Sequence, residues 1–189
     1  MTSFFTDGIL HITDFEGYDH MLFLLALCAP FTYREWKQVI WLATAFTLGH
    51  SISLALAATD AVHFSSSLIE FFIPITILIT AGIHVVRKRP VTAVKPISYA
   101  ITSLFGIIHG LGFSGYFRII SSEGESFLGQ LFMFNLGVEI GQLIILMTVL
   151  GILAISEVAL PNWARHMTKI ISIPTLVLAM WLVIEKWPF

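Results

Sequence analysis

The sequence predicts an all-α integral membrane protein: one domain, a polytopic bundle of about six transmembrane helices. Three observations carry this. Apolar residues make up 57% of the 189 positions and charged residues only 12%, about half the charged share of a soluble domain. The mean hydropathy is +0.87, and a soluble chain of this length has too little interior to hide so much apolar surface. Apolar stretches near the ~20 residues needed to cross a bilayer recur along the chain.

The expected spans are 19–33, 39–58, 66–86, 97–117, 126–155 and 166–184. The first is short, with Pro30 near its end. The fifth is long enough to tilt. Residues 1–18 place Phe4, Phe5, Phe15 and Tyr18 among acids and read as an interfacial or re-entrant lead-in. They are too polar for a secretory signal peptide, so the chain is expected to insert without one or to carry it further upstream. The connections are too short to hold another domain.

Loop charge orients the bundle. Of the ten Lys and Arg residues, Arg34, Lys37, Arg87, Lys88, Arg89, Lys95, Arg165 and Lys169 fall at one side of the six-span arrangement. Only Arg118 and Lys186 fall at the other. Basic loops stay cytoplasmic, so both termini are expected outside, in a bacterial cytoplasmic membrane. The formal net charge of −2 provides no basic field for nucleic acid. The single Cys28 excludes an intramolecular disulfide and a thiolate metal cage. The expected partners are the lipid bilayer and a metal ion, with homo-oligomerisation left open.

A short internal similarity is present. Phe46 and His50 in the second span match Phe105 and His109 in the fourth, and each of these spans precedes one carrying a glutamate, Glu70 or Glu139. A shift of two spans keeps direction, so this would describe a parallel repeat, the other reading being a chance match of two short segments.

Charged groups inside a bilayer cost roughly 2.5–3.5 kcal/mol each on insertion scales, so they are paired or functional. The candidates are Asp19, His20, His50, Glu70, His109 and Glu139. Under the expected topology all of them lie in the outer half of the membrane. Imidazole with carboxylate suits borderline ions such as Ni²⁺, Zn²⁺, Co²⁺ or Fe²⁺. Each residue also has a plainer reading: a buried His as an interhelical hydrogen bonder, Asp19-His20 as a helix cap with its neighbour. Asn135, Glu139 and Gln142 share one helical face, which suits either a site or interhelical glue. Ser51 adds an oxygen beside His50. Pro74, four residues after Glu70, leaves the Glu70 carbonyl without its helical partner. His11 lies outside the expected spans, as a surface residue or a ligand.

These stretches resemble the HupE/UreJ family of small membrane proteins. The matching segments are 11–27 (HITDFEGYDHMLFLLAL), 44–57 (TAFTLGHSISLALA), 68–74 (LIEFFIP), 105–114 (FGIIHGLGFS) and 134–142 (FNLGVEIGQ). The resemblance implies a nickel permease linked to hydrogenase and urease maturation. It implies metal-handling roles for Asp19, His20, Glu70 and His109, and extends to His50 and Glu139. The family's leading motif is a His, five residues, then Asp-His. Here seven residues separate His11 from Asp19, so the resemblance leaves the role of His11 as a further metal residue open.

The leading expectation is therefore a permease, not an enzyme, whose cargo is a divalent transition metal, nickel first and Zn, Co or Fe behind it. Two other classes stand beside it. One is an intramembrane zinc hydrolase, with His and Asp holding Zn²⁺ and a Glu as base. The other is a non-catalytic metal-binding membrane subunit.

Overall fold

A computed structural model describes residues 2–14, 17–58, 65–87, 91, 93–121, 126–159 and 166–188. Phe15, His63, Lys88, Arg89 and Arg165 lie outside the described residues. The described residues form seven α-helices: α1 (Thr2–Thr13), α2 (Asp19–Cys28), α3 (Trp36–Ala58), α4 (Ser66–Val86), α5 (Pro96–Ile120), α6 (Phe127–Ala159) and α7 (Met167–Glu185). From α3 onward, five helices are long and apolar enough to cross a membrane. Their outward side chains, Ile119, Val158 and Ile184 among them, are exposed, as a lipid-facing surface requires.

The first expected span, 19–33, is corrected. Its helix stops at Cys28 after ten residues, about 15 Å of rise, too short to cross alone. Pro30 is the reason, since a proline disfavours helical backbone at the residue before it. A turn at Tyr33–Glu35 follows, capped by Thr32, whose backbone N–H donates to the Glu35 carboxylate at 2.9 Å.

The lead-in is helical and packs inside the bundle. Gly8 rests on the backbone of Phe134 and Val138, and Gly137 on that of Phe5 and Ile9. Such glycine contacts bring two backbones close. Ile12 is fully buried, and α1 therefore follows the first half of α6 in the same direction. α2 joins the core cluster of Leu146, Leu150 and Leu153 on the second half of α6. Together α1 and α2 comprise 22 helical residues, about 33 Å of rise, in two pieces that end at Thr13 and begin at Asp19.

Helices α3 and α5 form the centre. They run parallel, and their glycines allow near-contact of backbones. A Cβ on Gly49 would strike the Ser103 carbonyl, and one on Gly106 the Phe46 carbonyl. α3 also packs on α6, and α5 on α4. α7 lies antiparallel to α4, with Phe71 on Trp187 at one end and Leu176 near Gly82 further along. Arg34 Nη2 and Glu157 Oε1, 3.6 Å apart, join the start of α3 to the end of α6. Arg34, Lys37, Arg87, Lys95 and Lys169 thus gather at one end of the bundle, and Arg118 and Lys186 lie at the other.

Replacing Gly106 with valine should cost about 3 kcal/mol or more, the overpacking range for a site with no room to yield. Gly115 has nothing within 4 Å of an added Cβ. Gly115→Ala should leave stability unchanged or raise it by up to about 1 kcal/mol. Thermal melts in detergent micelles check both.

Candidate metal centre

The break between α1 and α2 lies at the centre of the bundle. His11, in the last turn of α1, and His20, in the first turn of α2, meet across it with ring centroids 4.6 Å apart. α3 adds His50, whose ring is 5.7 Å from His11 and 6.3 Å from His20. α5 adds His109, 5.1 Å from His20. His50 and His109 are 0% and 1% exposed. Three potential donor nitrogens, one each from His11, His20 and His50, lie within 4.8 Å of one another. A metal with nitrogen ligands at about 2.0–2.1 Å holds those nitrogens up to ~4 Å apart. A small inward movement of the side chains is enough to close such a shell.

Hydrogen bonds decide which ring nitrogens are free. The Asp19 Oδ1 accepts the His20 backbone N–H at 2.7 Å and His20 Nδ1–H at 2.9 Å. Asp19 is thus the first residue of α2 and the partner of His20; the cap position belongs to Tyr18, which makes no side-chain cap bond. The Asn135 amide nitrogen donates to the Leu131 carbonyl at 2.8 Å, so its oxygen receives His50 Nδ1–H at 3.4 Å. The Thr76 hydroxyl donates to the Ile73 carbonyl at 2.7 Å, leaving its oxygen to accept His109 Nε2–H at 2.9 Å. The remaining nitrogens, His20 Nε2, His50 Nε2 and His109 Nδ1, are buried without a partner among the described residues, as is His11 Nε2. Metal-binding histidines characteristically show this pattern, one nitrogen anchored to an acceptor and the other presenting a lone pair.

The walls are aromatic. Phe113 lies against His11 with ring centroids 3.8 Å apart and planes tilted by 40°, Phe134 lies beside His11 and His50, and Phe46 and Phe23 flank His109. Apolar walls keep water from the imidazoles and strengthen electrostatic interactions inside. A cavity of about 820 Å³ reaches this wall from one side, lined by Asp7, Leu10, His11, Thr13, Asp14, Phe113 and Tyr116.

The other candidates divide. Glu139 and Gln142 face α3 beside the cluster: Thr44 Oγ1 donates to Glu139 Oε1 at 2.6 Å, and Thr47 Oγ1 to Gln142 Oε1 at 3.2 Å. Glu139 Oε2 and Gln142 Nε2 are buried without partners among the described residues. Ser51 is turned back on its own helix, donating to the Thr47 carbonyl at 2.8 Å. Glu70 is not in the cluster. Its side chain is 51% exposed and pairs with Lys186 at 3.2 Å. From α4, Thr76 reaches the histidines instead. Sequence reasoning passed over Thr76, Asp7, Asp14 and the phenylalanine walls. The available signal for Thr76 was spacing: it precedes Asn135 by 59 residues, the separation of His50 from His109.

The family model described as HupE / UreJ protein matches residues 1–186. Neither the curated proteins nor the solved structures include a match to this chain.

With the histidines as the donors, removing one should weaken binding of a divalent ion far more than removing a neighbour that presents nothing. His20→Ala and His50→Ala should each raise the Kd for Ni²⁺ by more than about 100-fold, beyond the loss typical of outer-shell changes. Ser51→Ala should change it less than about twofold, because that hydroxyl is spent on its own helix. Equilibrium dialysis of purified protein measures both.

Proposed function

Since the chain belongs to the HupE/UreJ family, whose members are membrane metal transporters, we propose that it is a permease for a divalent transition-metal ion, nickel first. The observation that carries this reading is the set of histidines at the helix break, with unpartnered nitrogens from α1, α2 and α3 close enough to share one ion.

The chemistry suits a cation that must be caught and then released. Imidazole binds borderline ions well. Three imidazoles and one nearby carboxylate, Asp19, give less charge than a carboxylate cage, so the ion is held without being trapped. The cavity between α1 and α5 serves as the entrance. Asp7 and Asp14 on its lining attract the hydrated cation. His11 offers the first nitrogen, and Phe113, packed against it, separates the cavity from the buried cluster. His20 and His50 complete the shell as water is shed, and His109 lies beside them. Glu139 and Gln142, with Thr44 and Thr47, provide oxygen contacts for the ion as it leaves. Glu70 stands at the bundle end, paired with Lys186 and away from both the cavity and the histidines.

The basic end of the bundle faces the cytoplasm on the positive-inside rule. The cavity is lined by Phe113 and Tyr116 from the far half of α5, and so opens toward the outer side. That arrangement fits uptake through a bacterial cytoplasmic membrane.

Cells expressing the protein should accumulate radiolabelled nickel faster than cells without it, and His20→Ala or His109→Ala should reduce the gain at least about tenfold at equal protein level. Uptake that is indifferent to expression and to both substitutions would overturn the permease reading.

A further inference from the structure

The central helices share a residue spacing whose register is set by the histidines. His50 and His109, Phe46 and Phe105, Thr76 and Asn135, and Gly82 and Gly141 are each 59 residues apart. At this spacing Glu139 corresponds to Thr80 and Glu70 to Gly129, so the two glutamates do not occupy equivalent places. The packing follows the same relation. The equivalent helices α3 and α5 lie against each other, α3 packs on α6, and α5 packs on α4. The hydrogen bonds are crossed in the same way. His50 of the first half bonds Asn135 of the second, and His109 of the second bonds Thr76 of the first.

We propose that Thr76 and Asn135 are repeat-related positioning residues that set the tautomers of His109 and His50, so that each half of the duplication offers one lone pair to the same cation. The halves have diverged in one respect. The Asn135 oxygen receives Nδ1–H and leaves His50 Nε2 free, whereas the Thr76 oxygen receives Nε2–H and leaves His109 Nδ1 free. His20 stands between the two rings, 6.3 Å from one and 5.1 Å from the other, and belongs to neither repeat. His109 Nδ1, buried without a partner among the described residues, is thereby offered as a fourth nitrogen beside the three of His11, His20 and His50, set by Thr76 as His50 Nε2 is set by Asn135. Both anchors are themselves fixed on their own helix backbone: the Thr76 hydroxyl gives its one proton to Ile73, and the Asn135 amide donates one of its two N–H groups to Leu131. Neither can reverse the bond to its histidine without breaking that second bond, which is what makes it an orienting group and not an adaptable neighbour.

This inference rests on the metal-binding reading, and its test separates the two. Full-length protein purified in detergent is titrated with Ni²⁺ alone as wild type and as Thr76→Val, Thr76→Ser, Asn135→Leu and Asn135→Asp. The nitrogen chemical shifts of its histidine rings are recorded without metal. Thr76→Val and Asn135→Leu should each raise the Kd about 10–100-fold, the usual cost of losing such a partner. Thr76→Ser and Asn135→Asp retain the acceptor and should stay within about threefold of wild type or bind more tightly, a rescue that a purely packing role would not give. In the wild type the shifts should report His109 protonated at Nε2 and His50 at Nδ1. Binding within about threefold of wild type in Thr76→Val and Asn135→Leu, or the opposite tautomers, overturns the proposal. If wild-type protein binds no Ni²⁺, the metal-binding reading fails, and the ring-nitrogen shifts still decide whether these two residues set the tautomers. Melting curves of Thr76→Val and Thr76→Ser show whether folding contributes to any difference.

Discussion

The contact between the backbones of α3 and α5 organises the rest of this bundle. Gly49 meets Ser103, Gly106 meets Phe46 and His50, and Gly110 meets His50 and Ser53. A bilayer offers no hydrophobic force between helices, so close packing of this kind must hold them. The approach has a chemical consequence as well. It places His50 and His109 near the common line of two helices, where neither can reach lipid or bulk water. Each must then find its hydrogen-bond partner on a neighbouring helix, and α6 and α4 provide one apiece. Because the two central helices are parallel and related in sequence, the two histidines arrive at the same depth.

The break between α1 and α2 supplies what a pair of continuous helices cannot. An unbroken helix through this position would carry its own backbone bonds past the histidines and present only side chains of one face. A break brings the end of one helix and the start of another together, and with them His11, His20 and Asp19. Non-helical backbone at membrane depth is tolerated where it is buried in protein or lines a cavity. The cavity bounded by α1 and α5 satisfies that condition here. The N-terminus of α2 also favours a carboxylate in its first turn, which holds Asp19 against the His20 ring. Discontinuous helices at ion sites are a recurrent device of transport proteins.

The composition and the long apolar runs made the bundle legible, because the bilayer sets both the length and the apolarity of a crossing. The bounds of α4 could be read directly, and those of α5 and α7 to within a few residues. The end of the first expected helix was misread because the apolar run and the helix do not coincide. Pro30 ends α2 early, and the polar lead-in carries Gly8 and Ile12, whose burial against α6 depends on Gly137 and Gly141 far along the chain. No local pattern contains that information. His11 was left undecided for the same reason.

What the sequence determined by itself is the class of the protein and the kind of chemistry it carries: apolar helices, and inside them imidazoles and carboxylates too costly to be there without partners. Its family, too, was legible in short motifs. What only the tertiary structure decided is which of those groups meet. Glu70 and Thr76 sit on one helix, six residues apart, and sequence alone favours the carboxylate. The helix rotation sends Glu70 to Lys186 at the bundle end and turns Thr76 to His109 in the interior. Which face of α4 points inward is set by its packing on α2, α5 and α7 together, a many-body constraint that no single segment expresses.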